Sequence, residues 1–373
     1  MRIGIVCHPS IGGSGVIATE LGLGLARKGH QIHFISSSTP VRLTGMLDDV
    51  SFHYVEPINY PLFDDKLYTF ALTAKIGEVA EQHQPDIVHA HYSIPHSLCA
   101  HLARQVSGCE FKVVTTIHGT DATIVGQDRP LYPLNRFSID QSDMVTTVSE
   151  YQKKYLLDNF ELDKDIRVIH NFVDPEVFTL EKANSKQRQL LARDDEKLIM
   201  HISNFRQPKN TLGVVKTFAL IADQLGTRLV LVGDGPDVTA ARSLCKALGV
   251  LDRVTFTGMV TQIEKIIANA DCVIQPSYRE SFGMAALEAM SSGVPAVCSD
   301  RDGVPEVVIH GETGFLADPD DHAALGGYLA RICSEPALHK QLAENGRRRA
   351  LKLFNSKDKV DEYLDNYHSC LAI

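Results

Sequence analysis

Glu280-Ser-Phe-Gly-Met-Ala-Ala-Leu-Glu288 sets two carboxylates eight residues apart, with a glycine and small residues between them. Val273-Ile274-Gln275 runs in as a short apolar stretch, Pro276 breaks it, and after Gly283 the residues Met284, Leu287 and Met290 recur at helical spacing. The stretch reads as strand, loop and helix, with Gly293 and Pro295 as the stop signal. Glu280 then belongs to the loop and Glu288 lies about one and a half turns inside the helix. Both carboxylates can face one crevice at the carboxyl end of a strand. The N–H groups of Gly283, Met284 and Ala285 point into that crevice, where the helix dipole favours an anion. A phosphate fits there, flanked by acceptor-only carboxylates suited to the hydroxyls of a ribose and a sugar. The same spacing also fits a solvated surface helix that happens to carry two glutamates.

Outward from this stretch the chain alternates strand and helix signals, the mark of a parallel sheet covered on both faces. Before it, strand signals fall at residues 2–7, 31–36, 51–55, 86–89, 112–117, 144–147 and 167–170, with helical stretches near 15–28, 65–83, 95–105 and 149–158. The run Asn171-Phe-Val-Asp-Pro-Glu-Val-Phe178 and the polar residues 181–196 break the rhythm and read as a linker. A second alternation follows, with strands at 198–203, 228–232, 254–257, 272–275 and 296–299 and helices near 210–225, 236–248, 261–269 and 283–292. From about residue 320 the pattern is helical to the end, and Gly346-Arg-Arg-Arg349 reads as a solvated helix face. An α/β chain with two doubly wound halves is the economical reading. The expected division is 1–170, 171–354 and a final helix, 355–373, that crosses back to the first domain.

A chain of 373 residues fits two domains rather than one core. Lys+Arg 37 against Asp+Glu 46 gives a net charge of -9, which argues against non-specific nucleic-acid binding. An anionic substrate must therefore be met by locally placed cations. The eight cysteines are scattered without a C-x-x-C pair, the pattern of reduced, buried thiols. Met1-Arg2 leads straight into the first strand signal, leaving no room for a signal peptide, and no apolar run approaches the ~20 residues that span a bilayer. The expected location is cytoplasmic.

Gly13-Ser14-Gly15-Val16-Ile17-Ala18 matches G-x-G-x-x-A after a strand and before a helix, the setting of a dinucleotide site. Four residues, His8-Pro-Ser-Ile11, separate the strand from the first glycine, and the second strand ends in Ser36-Ser37-Ser38 where a ribose-binding carboxylate is expected. The loop reads instead as backbone facing a ligand held mainly by the other domain, or as a packing turn. Arg206 and Lys209, in Ser203-Asn-Phe-Arg-Gln-Pro-Lys-Asn210, follow the first strand of the second half. A guanidinium and an ammonium there can neutralise a diphosphate leaving group without a metal; two solvent-facing loop cations are the alternative. His89-Ala-His91 lacks further ligands for zinc. His118, at the end of a strand and next to Gly119, is a functional candidate, or a histidine held structurally by Asp121.

Taken together, the E-x7-E element at Glu280 and Glu288, Gly12-Gly13, Arg206 with Lys209, and His118 resemble the retaining GT-B glycosyltransferases of family 4, over essentially the whole chain. The resemblance implies two Rossmann-like domains facing a central cleft, the first binding an acceptor and the second a nucleotide sugar. Within that family the stretches His8–Glu20, Ile117–Asp121, Arg136–Asp143, His170–Asp174 and Ser203–Arg206 are similar to transferases that move N-acetylglucosamine from its UDP donor to the hydroxyl of L-malate. Carried over, Glu288 binds the ribose hydroxyls and Glu280 the donor sugar. Ser281, Phe282, Gly283, Met284 and Ala285 lie along the donor, and Arg206, Lys209 and Gly13 hold its diphosphate. His118 lies near the transferred sugar, and Ser14, Tyr92 and Arg136 are on the acceptor side. His118, Lys209, Arg206 and Glu280 are the catalytic candidates. No cofactor or essential metal is expected, and a second copy of the chain is a candidate partner. One departure is that many members carry the phosphate arginine where Asn204 stands here. A family 4 hexosyltransferase with an inositol phosphate or polysaccharide acceptor, a nucleotide-sugar epimerase and a non-catalytic sensor remain alternatives.

Overall fold

A computed structural model describes residues 1–9, 12–43, 47–58, 67–123 and 127–372. It divides into two units, Met1–Asn171 with Ser356–Ile373, and Phe172–Asn355.

The first unit is built on a seven-stranded sheet: β1 (Arg2–Val6), β2 (Gln31–Ser36), β3 (Val50–Tyr54), β4 (Ile87–His91), β5 (Lys112–Ile117), β6 (Met144–Thr147) and β7 (Ile166–Val168). Their order is β3-β2-β1-β4-β5-β6-β7, every pairing parallel. Strands covered on both faces are buried on both: β1 is an apolar run after Arg2, and β4 is buried throughout although it carries His89 and His91. The second unit repeats the plan with β8 (Lys197–Ile202), β9 (Thr227–Val232), β10 (Val254–Gly258), β11 (Cys272–Gln275), β12 (Ala296–Ser299) and β13 (Gly314–Ala317), in the order β10-β9-β8-β11-β12-β13. In such sheets ligands gather at the carboxyl ends of the strands flanking the point where the order reverses. That point lies between β1 and β4 in the first sheet and between β8 and β11 in the second.

The final helix, Ser356–Leu371, packs on the first-unit helix Gly13–Arg27. A Cβ at Gly24 would meet Val360 Cγ2 at 2.6 Å, so the small residue sets how closely the two helices approach. Tyr363 and Tyr367 are buried beneath this helix, and the Tyr367 hydroxyl lies 2.7 Å from His89 Nδ1.

Several expectations are corrected. The helix Tyr132–Asp140 and the strand β13 had no counterpart in the sequence reading. The polar run after residue 180 is not a bare linker: it carries the helix Ser185–Leu191, whose N-cap Asn184 accepts from the Lys186 and Gln187 amides. The stretch 210–225 splits into Thr211–Ala219 and Ala222–Leu225. Arg347 and Arg349 are not a solvated face. Arg347 donates to Ser291 O at the carboxyl end of the helix Met284–Ser291, and Arg349 donates to Glu306 O (2.7 Å) and Val307 O (2.9 Å), at the end of another short helix. Cations are favoured at helix carboxyl termini, so the arginines pin these helices in place. All eight cysteines are free, seven of them buried. No helix among the described residues is long and apolar enough to cross a membrane.

Candidate functional site

In the second unit the loops after β8 and β11 come together. Asn210, in the left-handed conformation (φ 53°), caps the helix Thr211–Ala219 by accepting from the Gly213 amide at 3.1 Å. Its Nδ2 donates to Pro276 O and Pro319 O, both at 3.1 Å, and the Tyr278 amide donates to Pro208 O at 2.8 Å. These contacts bring Lys209 Nζ to 2.6 Å from Glu280 Oε2. The carboxylate is only 12% exposed, so the pair is better shielded from solvent than an ordinary surface ion pair.

Gln275, the last residue of β11, ties this pair to the following helix. Its Nε2 donates to Glu280 Oε2 at 2.8 Å, and its Oε1 accepts from the Ala286 amide at 3.1 Å. The helix is Met284–Ser291, preceded by Gly283 at φ 106°. Its third amide is therefore capped, while Met284 and Ala285 precede the first residue with an intrahelical acceptor. Within this helix Met284 and Glu288 are the two residues that are not buried. Four residues apart, they form one accessible stripe above the Glu280 loop.

The loop is clamped from β12. The Glu280 amide donates to Asp302 Oδ2 at 3.0 Å, and the Gly303 amide returns a bond to Glu280 O at 3.0 Å. A Cβ at Gly303 would meet Ser281 O at 2.1 Å. Behind the other loop stands Gly233-Asp-Gly235, just past β9. Gly233 has φ 129°, and a Cβ there would lie 1.8 Å from Ser203 O. This contact fixes the path of Ser203–Arg206, in which buried Phe205 is left-handed (φ 38°) and Asn204 and Arg206 are exposed.

The first unit gathers different chemistry at its own reversal point. His91, the last residue of β4, places Nδ1 2.9 Å from His118 Nε2, just past β5. Tyr92, left-handed at φ 103°, stacks on His118 with ring centroids 5.7 Å apart and meets the edge of His8 at 5.1 Å. His96 donates through Nδ1–H to His91 O, and its ring lies 4.3 Å from that of His8. Burial pushes His96 and His118 down to about 3 and holds His91 well below its ordinary value, so these rings are neutral at pH 7. A neutral imidazole can exchange hydrogen bonds with a hydroxyl but cannot offset phosphate charge. Asp121 does not hold the His118 ring. Its carboxylate accepts from the Ser93 amide at 3.1 Å and the Gly119 amide at 2.9 Å, and burial nevertheless raises it to about 6.

Gly12 and Gly13 are exposed, with nothing within 4 Å of the position a Cβ would take, and Ser14 is half-buried in the first turn of Gly13–Arg27. The residues Ser10 and Ile11 of the quoted His8–Glu20 stretch lie outside the described residues. Arg136 is ion-paired with Glu161 (2.9 Å) and Asp140 (3.7 Å). The structure thus brings Lys209, Glu280 and the 281–288 segment together in one unit, and His118 and Tyr92 in the other. Gln275, Asp302, Gly233 and His8 were given no role in the sequence reading, and His91 was weighed there only as a metal ligand. Asp302-Gly303 and Gly233-Asp-Gly235 are turn signals directly after strands, a cue present in the sequence.

Two family models match the chain: "Glycosyltransferase Family 4" over residues 11–177 and "Glycosyl transferases group 1" over residues 182–349. The chain is 39% identical over 371 residues to the N-acetyl-alpha-D-glucosaminyl L-malate synthase of Bacillus anthracis, covering 100% of this chain and 97% of that protein. It belongs to glycosyltransferase family 4. A further member, the D-inositol 3-phosphate glycosyltransferase of Mycolicibacterium smegmatis, is 26% identical, with 97% of this chain and 87% of that protein covered. Among solved structures, sucrose-phosphate synthase from Thermosynechococcus elongatus superposes with a TM-score of 0.84 at 22% identity, covering 100% of this chain and 99% of that one. Anabaena HepE in complex with UDP and glucose gives 0.83 at 19% identity, covering 99% and 100%. These likenesses agree with the two parallel sheets of the GT-B fold, and this family 4 chain is a glycosyltransferase.

Proposed function

We propose that the chain is a retaining transferase that moves N-acetylglucosamine from UDP-N-acetylglucosamine to the hydroxyl of L-malate. The observation that carries this reading is the 39% identity, sustained over the whole chain, to a relative named for that product. The geometry of the second unit supports the donor half. Glu288, on the accessible stripe of its helix, takes the ribose hydroxyls, and the Met284 and Ala285 amides face a phosphate. Lys209 leaves Glu280 for a diphosphate oxygen, joined by exposed Arg206, whose reach compensates for Asn204 at the usual arginine position. Glu280 keeps its bond from Gln275 through that exchange and turns its freed lone pairs to the donor sugar. Ser281 and Phe282 carry the backbone between these groups, and Gly13 offers an amide to the diphosphate.

On the acceptor side Ser14, Tyr92, His118 and Arg136 are the candidates, His118 as a neutral hydrogen-bonding group beside the transferred sugar. Arg136 reaches a malate carboxylate only by giving up Glu161 and Asp140. The departing phosphate helps deprotonate the acceptor on the same face of the sugar, so configuration is retained. The protein contributes orientation and electrostatic stabilisation, and two cations supply the charge that a metal would otherwise bring.

A second acceptor class, inositol phosphate, is favoured by the likeness to the mycobacterial relative. Release of UDP from UDP-N-acetylglucosamine, measured across L-malate, D-malate, other hydroxy acids and inositol 3-phosphate, separates the two, with product configuration read by NMR. The reading predicts release with L-malate and an α-anomer. Release only with inositol 3-phosphate, or donor consumption without any acceptor, would sink it.

A further inference from the structure

Three histidines outside the site described above converge at the edge of the first sheet. His33 lies in β2 and His53 in β3, with His33 opposite Ser51 and His53 opposite Ile35. Side chains alternate along a strand, so His33, Ile35, Ser51 and His53 share one face. His83 is the last residue of the helix Tyr68–His83 that covers this face. The three rings are tilted against one another with centroids 4.3 to 5.2 Å apart, and one ring nitrogen from each lies within 4.8 Å of the others. His33 Nδ1 and His53 Nε2 are 3.0 Å apart.

We propose that His33, His53 and His83 form a binding site for one borderline divalent transition-metal ion of the zinc class. Neutral imidazole is the commonest protein ligand for such ions, and three of them with a solvent molecule complete a tetrahedron. Ligand nitrogens in a tetrahedron with zinc–nitrogen distances near 2.0 to 2.1 Å stand about 3.3 Å apart. The present spacing reaches that value by small ring rotations, with each side chain held on a strand or a helix end. Two of the three rings are also biased toward the neutral form. Burial, with His83 and Arg2 nearby, pushes His33 down to about 4, and His53 is lowered by burial with His83 and Lys75, against Glu78. Glu78 is engaged by Lys75 at 2.5 Å, and among the described residues no carboxylate hydrogen-bonds to the three imidazoles. His53 and His83 are half-buried and His33 is buried, so the site is open for the ion's entry and for a fourth, solvent ligand. The bound ion would tie the edge strand β3 and the end of the covering helix to β2.

The test uses the full chain without a histidine tag, stripped by chelator and titrated with Co(II), then with Zn(II) against a chromophoric competitor. The expected result is one equivalent of Co(II) with the strong visible bands of a tetrahedral nitrogen site. Binding should be at least tenfold weaker in both His53→Gln and His83→Gln, with UDP affinity unchanged as a check on folding. Zn(II) should raise the thermal midpoint of the parent and not of the variants. A sulfur-to-cobalt charge-transfer band, binding as tight as the parent's in either variant, or no binding by the parent at about 100 μM metal, weaker than ordinary zinc sites, would overturn the proposal.

Discussion

At the reversal point of the second sheet, Lys209 and Glu280 lie 2.6 Å apart in a loop clamped by Gln275 and Asp302. At the corresponding point of the first sheet, His91, His96 and His118 are buried and hold no charge at pH 7. The same fold has therefore been fitted with an ionic site in one unit and a neutral, aromatic one in the other. The ionic site suits a group that carries charge before and after transfer, such as a diphosphate. The neutral one suits hydroxyl groups, which a neutral imidazole can hydrogen-bond without a charge having to be buried.

Acid should pull the two units apart in stability, and this is the largest effect expected. His89, His96 and His118 titrate near 3 when folded and near 6.5 when unfolded. Between those values the unfolded chain binds more protons, so stability falls as the pH is lowered through the window. Each buried histidine contributes at most about 1.4 kcal/mol per pH unit. Asp121 acts in the opposite sense: its carboxyl, raised to about 6, binds a proton in the folded state first and offsets part of the loss between pH 6 and its ordinary value of 3.8. In the second unit the lowering falls on His201, at about 4. Hydrogen exchange at pH 5 should show β4 and β5 opening before β8 and β11. Earlier opening of β8 would break the contrast.

Lys209→Ala comes next. Removal of one oriented charge from a leaving group costs roughly 10² to 10³ in rate, and steady-state turnover at saturating donor measures it. A turnover equal to the parent's would show that the 2.6 Å pair with Glu280 is structural only. Glu288→Ala should act on binding instead. Loss of a charged hydrogen-bond partner costs about 1.5 to 3 kcal/mol, hence roughly tenfold or more in UDP affinity. Calorimetry giving the parent's affinity would remove Glu288 from the ribose.

The difference between the units also explains what could be read from the chain alone. The proposed donor loop was legible as strand, loop and helix because Glu280 through Glu288 is local, and its spacing survives in the sequence. The parallel sheets were legible from the strand–helix rhythm for the same reason. β13 was not, since four residues beginning with a glycine give little signal. Its Gly314 is needed because a Cβ there would meet Ala296 O at 2.5 Å, a contact with a distant strand. His118 was singled out, but its partner His91 sits 27 residues away and meets it only through the pairing of β4 with β5. Arg347 and Arg349 read as solvated because the carbonyls they cap belong to helices far along the chain.

The clamp on the donor loop gives the smallest and most discriminating test. The Glu280 amide donates to the Asp302 carboxylate at 3.0 Å, and Asp302 is left-handed at φ 54°, a conformation that Asn tolerates and Ala does not. Asp302→Asn keeps an acceptor oxygen and the backbone and removes the charge. A charged hydrogen bond exceeds a neutral one by about 1 kcal/mol, so kcat/KM should fall about fivefold with the thermal midpoint unchanged. Asp302→Ala removes the acceptor and adds strain of order 1 to 3 kcal/mol, and should lower activity and stability together. If Asp302 merely terminates a turn, both variants will change stability alone. If it positions Glu280, the asparagine variant will lose activity without losing stability, because in the proposed function the loop it holds is the one that Lys209 leaves when the donor enters.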